Sequence, residues 1–268
     1  MSVSPRLTLG ALYREMRAGL GDAGWARVTV VFRQQTRGDA GAEQGGSKGR
    51  ILVLEALIDQ RDGELDRAEL SLVGPEPARS ITVRRDGDGF AYSIDGGLQW
   101  GRFSDRPRIF DLPGFEAELD EVIVEDVTFE EVVSPGVDAL DVSLDRAAFA
   151  RLLGIFSADL DEDPETLALS AYSVSLEATE EVCLDYWWSL GALDGPPTEP
   201  FSDSSNGPAV RVTCSVSIRV AASQGPSHAE AVLDQELPEV ADIDDVWGLL
   251  RRGAPRTSTA GPGGLTTS

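Results

Sequence analysis

Apolar residues recur along this chain in two rhythms, and the changes between them mark out helices and strands. Over residues 8–20, Leu9, Leu12, Tyr13, Met16 and Leu20 recur at steps of three and four. That spacing lays one apolar stripe along a helix. Thr8 stands where an N-cap is wanted, and Gly21 and Gly24 break the pattern. Residues 25–35 alternate instead, with Val28, Val30 and Phe32 on one side and Arg27, Thr29 and Arg33 on the other. Such alternation predicts a half-buried strand. Residues 36–49 have the composition of a flexible loop.

Strands are then predicted over 50–59, with Leu52, Leu54, Ala56 and Ile58 in phase, and over 68–73, with Leu70 and Leu72 in phase. The run Gly74-Pro75-Glu76-Pro77 stops the second of these. A hairpin over 80–85 and 90–94 turns at Asp86-Gly87-Asp88-Gly89, carrying Ile81 and Val83 on one arm and Tyr92 and Ile94 on the other. A turn at Asp95-Gly96-Gly97 leads into Leu98 and Trp100. Six short strands in succession with no helix between them make an antiparallel meander.

Residues 105–120 contain proline and read as irregular. Over 121–133 the apolar phase set by Val122 and Val124 shifts to Val127 and Phe129, which predicts a bulge near Asp126. Leu140, Val142 and Leu144 alternate strictly, and Asp145 caps a helix over 146–156 whose Phe149, Leu152, Leu153 and Phe156 share a face. Residues 159–166 form an acidic loop, 167–177 and 180–188 a strand pair, and 194–208 a proline-rich exposed loop. The cleanest alternation is over 209–221, with Val210, Val212, Cys214, Val216, Ile218 and Val220 on one face. Pro238 precedes a short helix over about 241–252, and 253–268 is a disordered tail of Gly, Pro, Ser and Thr. The expected fold class is α+β: one domain over 1–252, a curved antiparallel sheet with two or three short helices packed on its concave side.

Composition narrows function by exclusion. The chain has 268 residues, 41% of them apolar, enough for one large β-rich core. Its 46 acidic against 23 basic residues give a formal charge of -23. That field repels phosphates and anionic headgroups. The longest basic runs are the pairs Arg84-Arg85 and Arg251-Arg252, so nucleic acid is not an expected partner. The first ten residues lack a charged start followed by an apolar run, and no cysteine lies near the N-terminus. The expected location is therefore the cytoplasm, with no membrane span.

Candidate chemistry is sparse. Cys183 and Cys214, with the single His228, do not supply a four-ligand zinc site. The two thiols are expected to be small buried hydrophobes, pairing only if their strands are neighbours. Asp86-Gly87-Asp88-Gly89 has the look of a calcium loop, but the apolar residues 90–94 that follow favour a hairpin turn. The acids Asp159, Asp161, Glu162 and Asp163 read as a solvated loop. Ser227 and His228 sit together in a loop without a nucleophile elbow. No catalytic residue, metal site or cofactor is expected. Trp187 and Trp188 are adjacent on one strand, so one faces inward and the other outward.

The order of elements resembles a known family. A helix leads into WARVTVVFRQ; hairpins follow, then FAYSIDGGLQWGRF; next comes LDVSLDRAAFARLLGIF, a strand running into a short helix; VRVTCSVSIRV and LPEVADIDDVWGLL close the domain. This texture, over about residues 8–252, resembles the LppX/LprG-type lipoproteins and, more distantly, the LolA-type lipoprotein carriers. The resemblance implies a half-barrel that binds or shuttles acyl-chain lipids in its concavity. On this reading the chain is expected to depart from the family in carrying neither secretion signal nor lipid-anchoring cysteine. The expected function is thus non-catalytic binding or carriage of a lipophilic ligand. The expected lining is Val30, Phe32, Leu52, Leu54, Leu70, Leu72, Ile81, Val83, Tyr92 and Trp100. The alternative is an interaction or scaffold module with a filled core and a protein partner.

Overall fold

The computed structural model describes residues 6–19, 24–37, 48–60, 64–73, 79–94, 99–107, 109–129, 138–156, 169–190, 211–225 and 237–240. Several expectations fall outside them: the turn at 95–97, the stop at 74–77, the acidic loop at 159–166, the loop at 194–208, the helix at 241–252 and the tail at 253–268.

The strands β1 (Trp25–Arg37), β2 (Lys48–Asp59), β3 (Leu65–Val73), β4 (Arg79–Asp86), β5 (Gly89–Ile94) and β6 (Gln99–Phe103) form one antiparallel meander. A second meander comprises β7 (Asp126–Phe129), β8 (Asp138–Ser143), β9 (Leu169–Ala178), β10 (Glu181–Leu190) and β11 (Arg211–Ser223). The first and last strands of the two meanders, β1 and β11, pair antiparallel along their full lengths and join them into one sheet. A two-residue strand, β12 (Glu239–Val240), adds in parallel to β6. The result is an open sheet of twelve strands, with β12 and β7 at its edges.

Among the described residues, three helices accompany it: α1 (Leu9–Ala18), α2 (Leu112–Leu119) and α3 (Arg146–Phe156). They run 8 to 11 residues, so each is only about 12–17 Å long. Laid flat, twelve strands would span about 50 Å, far more than such helices can cover. The sheet is curved, and its apolar face and the helices share one core that extends from Phe103 in β6 to Val142 in β8.

Local chemistry explains the helices. Thr8 accepts from the Ala11 amide at 3.2 Å as the N-cap of α1. Asp145 accepts from the Ala148 amide at 2.7 Å at the start of α3, as its sequence position predicts. The helix α2 corrects the irregular reading of 105–120. Asp111 caps it by accepting from the Gly114 amide at 3.1 Å. Pro113 occupies the first turn, where it costs no hydrogen bond. Leu112, Phe115 and Leu119 face the core. The Pro113-Gly114 pair reads locally as a breaker, and only burial of these three side chains overrides it.

The expected bulge near Asp126 is a change of partner instead. The Leu9 amide donates to Val122 at 2.9 Å and the Val124 amide to Leu7 at 3.0 Å, so residues 122–124 pair with the approach to α1. From Glu125, whose amide donates to Ser143 at 2.9 Å, the chain pairs with β8. Register shifts lie elsewhere, at Leu57/Ile58 and Ser189/Leu190. Helices α1 and α2 meet closely at Gly10, where a Cβ would overlap the Asp120 side chain and the Leu119 carbonyl carbon. Arg14 clamps the same corner through a bidentate pair with Asp120, 2.7 Å on both arms.

Candidate functional site

The apolar face is built in rows, because directly opposed residues on neighbouring strands point to the same side. In one row Val28 opposes Ala56 and Val220, and the series continues through Ala68 and Val83 to Tyr92. In the next, Val30 leads through Leu54, Leu70 and Ile81 to Ile94. On its other flank it leads through Ile218 and Leu184 to Leu176. In the third, Phe32 is flanked by Leu52 and Leu72 on one side and by Val216, Tyr186 and Val174 on the other.

Nine of the ten residues expected to line a site therefore share one face: Val30, Phe32, Leu52, Leu54, Leu70, Leu72, Ile81, Val83 and Tyr92. The tenth, Trp100, does not. It opposes Ser93, which lies between Tyr92 and Ile94 and so points to the other side. There the Arg84 guanidinium sits 4.5 Å from the Trp100 ring centroid, a cation–π contact. The register of β6 against β5 sets which parity of β6 faces inward. Alternation inside so short a strand cannot reveal it. On the inward side Gly101 makes room for the Tyr92 ring, which a Cβ there would strike.

Burial changes along the face. The Val28 and Ile81 side chains are fully buried and Leu54 is 9% exposed, whereas Phe32, Leu52 and Leu72 are all only half-buried. The outer row is thus half-buried only over β1 to β3, whereas its other flank, Val216, Tyr186 and Val174, is buried. An aromatic series runs to that row. Phe149 stacks on Tyr172 at 4.3 Å and meets Tyr186 edge-on at 6.4 Å. Tyr186 stacks on Trp188 at 6.0 Å, and Trp188 tilts against Phe32 at 6.3 Å. As the sequence predicts for adjacent strand residues, Trp188 faces in and Trp187 faces out, half-buried. The list drawn from the early strands omits this whole half of the face. Its signal is the alternation of β11, but only the pairing of β11 with β1 makes it central.

Two buried phenols, Tyr13 and Tyr186, belong to the same core as the face. Tyr13 of α1 is fully buried, edge-on to Phe115 at 5.7 Å. Its hydroxyl has no hydrogen-bond partner among the described residues, an arrangement that costs about 1–3 kcal/mol. Burial raises its pKa well above the phenol range, Arg17 lowers it in part, and Cys183 adds a smaller rise. Burial alone raises that of Tyr186.

Cys183 and Cys214 are buried and free, although their strands are neighbours. Cys183 opposes Arg219 and Cys214 opposes Trp188, so the thiols lie on opposite faces and several residues apart in register. No disulfide can span that separation. Burial pushes the Cys183 thiol up to about 12, helped by its 3.1 Å hydrogen bond to Asp185. Burial pushes Cys214 up to about 11. Asp86 is buried and its carboxylate is held by Arg102 at 2.6 Å, which fixes the hairpin end. Among the described residues no three His, Cys, Asp or Glu side chains gather as a metal site. Ser227 and His228 lie outside them. No helix among them is long and apolar enough to cross a membrane.

These raised values have a consequence for stability. A thiol or phenol that stays protonated in the folded chain but ionises in the unfolded one makes unfolding release a proton, so stability falls as pH rises. The contribution is complete below the ordinary thiol value of 9.0 and is lost as pH climbs toward about 12. In an absorbance titration Tyr13 and Tyr186 are expected to ionise only as the protein unfolds, while both cysteines resist a thiol reagent at pH 8. Four tyrosines titrating together near the ordinary value of 10.0 in folded protein would contradict this burial.

No protein-family profile and no curated protein matches the chain. Among solved structures, a DUF1329 family protein from Desulfovibrio piger ATCC 29098 aligns with 81% of this chain and 93% of its own. The identity is 9% and the TM-score 0.26, a weak structural likeness.

Proposed function

We propose that the chain binds and carries a lipophilic small molecule on the apolar face of its sheet, without catalysis. One observation carries the reading: the half-buried row Phe32–Leu52–Leu72, which continues the apolar inner rows outward to a rim marked by Arg79, Gln34 and Arg50. An acyl chain laid on that row gains roughly 0.8 kcal/mol per buried CH₂. The charge of -23 favours neutral or cationic lipophiles over anionic ones.

A second reading is favoured by the inner rows. Val28, Ile81, Val83, Leu176, Leu184 and Ile218 are all fully buried, as in a core that side chains have already filled. On that reading the chain is an interaction module with a protein partner. Titration with a fluorescent neutral-lipid probe and a fluorescent fatty acid separates the two. The carrier reading expects saturable binding, with the neutral probe bound more tightly. Absence of saturable binding by both probes would leave the interaction module.

A further inference from the structure

We infer that the ligand is an amphiphile with a net-neutral, zwitterionic head: an anionic oxyacid such as a phosphodiester beside the tail, and an ammonium beyond it. Arg50 and Arg79 receive the oxyacid. This rests on the carrier reading and specifies the head group. The register places the two arginines. Leu72 opposes Arg79 in the outer row, and Gln34, the next inward-facing residue of β1 after Phe32, opposes Arg50. Both arginines therefore stand on the apolar side of the sheet, at the end of the row Phe32–Leu52–Leu72. On the other flank Cys214 opposes Gln34 and Trp188 opposes Cys214, so no charge enters from there.

Arg50 is exposed, and Arg79 and Gln34 are half-buried. The chain holds 46 acidic residues against 23 basic ones. Yet from that outer row onward, the described side chains of this face over β1 to β4 include two arginines and no carboxylate. The local charge is thus opposite in sign to the net charge.

These two charges together choose the head. A guanidinium at the border of an apolar surface pairs an oxyacid through its fork of N–H donors. The ligand atoms next to the tail are therefore anionic oxygens, and an uncharged head would leave Arg50 without a counter-charge. The charge of -23 around the rim opposes any ligand that is negative overall. A plain carboxylate or phosphate monoester gains the arginines but meets that field. A zwitterion brings no net charge, sets its anion against the arginines and turns its ammonium toward the acidic remainder.

The test uses the full chain and three probes that share one pyrene-labelled acyl chain: a lysophosphocholine, a monoglyceride and the free fatty acid, each below its aggregation concentration. The wild type is expected to bind the lysophosphocholine about tenfold more tightly than the monoglyceride, the effect of one charge-assisted contact. The fatty acid is expected to bind most weakly. Arg50→Gln is expected to erase most of the preference for lysophosphocholine, and Arg50→Lys to restore part of it. Arg27→Gln removes the same charge from an exposed position on the other side of the sheet and is expected to leave the preference intact. Saturable binding without that preference in the wild type would overturn the head group and leave the carrier. So would a preference that both Arg50→Gln and Arg79→Gln retain. Tightest binding of the fatty acid would overturn the zwitterion in favour of a simple anion. Binding of none of the probes would remove the carrier reading and the head group with it.

Discussion

Leu184→Ala is expected to lower the stability of the folded chain by about 2–5 kcal/mol. Leu184 is fully buried on β10, and its cross-strand partners Ile218 and Leu176 are fully buried too. A ladder on both sides holds the backbone, so the site cannot collapse around the missing atoms, and a cavity remains. The control is Phe129→Ala on the edge strand β7. That ring is 79% exposed, and its removal is expected to change stability by less than about 0.5 kcal/mol. Urea unfolding of the two variants measures both. Equal effects would mean that the row Leu140–Leu176–Leu184–Ile218 does not face the core.

Leu72→Trp is expected to abolish probe binding while leaving the fold intact. Leu72 is half-buried in the outer row, opposite Leu52, and its neighbour Arg79 on β4 is also half-buried. A larger ring there has solvent on one side to expand into, so it fills the rim without forcing the strands apart. The same change at Leu54, 9% exposed, would overpack an inner row at about 1–3 kcal/mol. Retained binding in a folded Leu72→Trp protein would move the ligand away from the Phe32–Leu52–Leu72 rim.

Local pattern made much of this architecture legible. Alternation marked β1 to β5, β8 and β11, a turn signal marked β6, β9 and β10 read as a strand pair, and the three-four spacing marked α1 and α3, with their caps at Thr8 and Asp145. Local pattern failed where a distant partner decides the outcome. The helix α2 forms across Pro113-Gly114 because Leu112, Phe115 and Leu119 find a core. Trp100 faces outward because its pairing with Ser93 of β5, not alternation within β6, sets its side. The cysteines cannot pair because neighbouring strands do not guarantee a shared face. Half of the apolar face, from Ile218 to Leu176, comes next to the early strands only through the β1–β11 pairing, which brings residues near the two ends of the chain together.

The central claim is that the apolar face holds a lipophilic ligand, and mass spectrometry of an organic extract of natively purified protein tests it most directly. The account predicts a lipophilic species in near-stoichiometric amount, neutral or cationic, and diminished in protein purified as Leu72→Trp. An extract without any lipophile above background, from protein that also fails to bind the neutral probe, would contradict it.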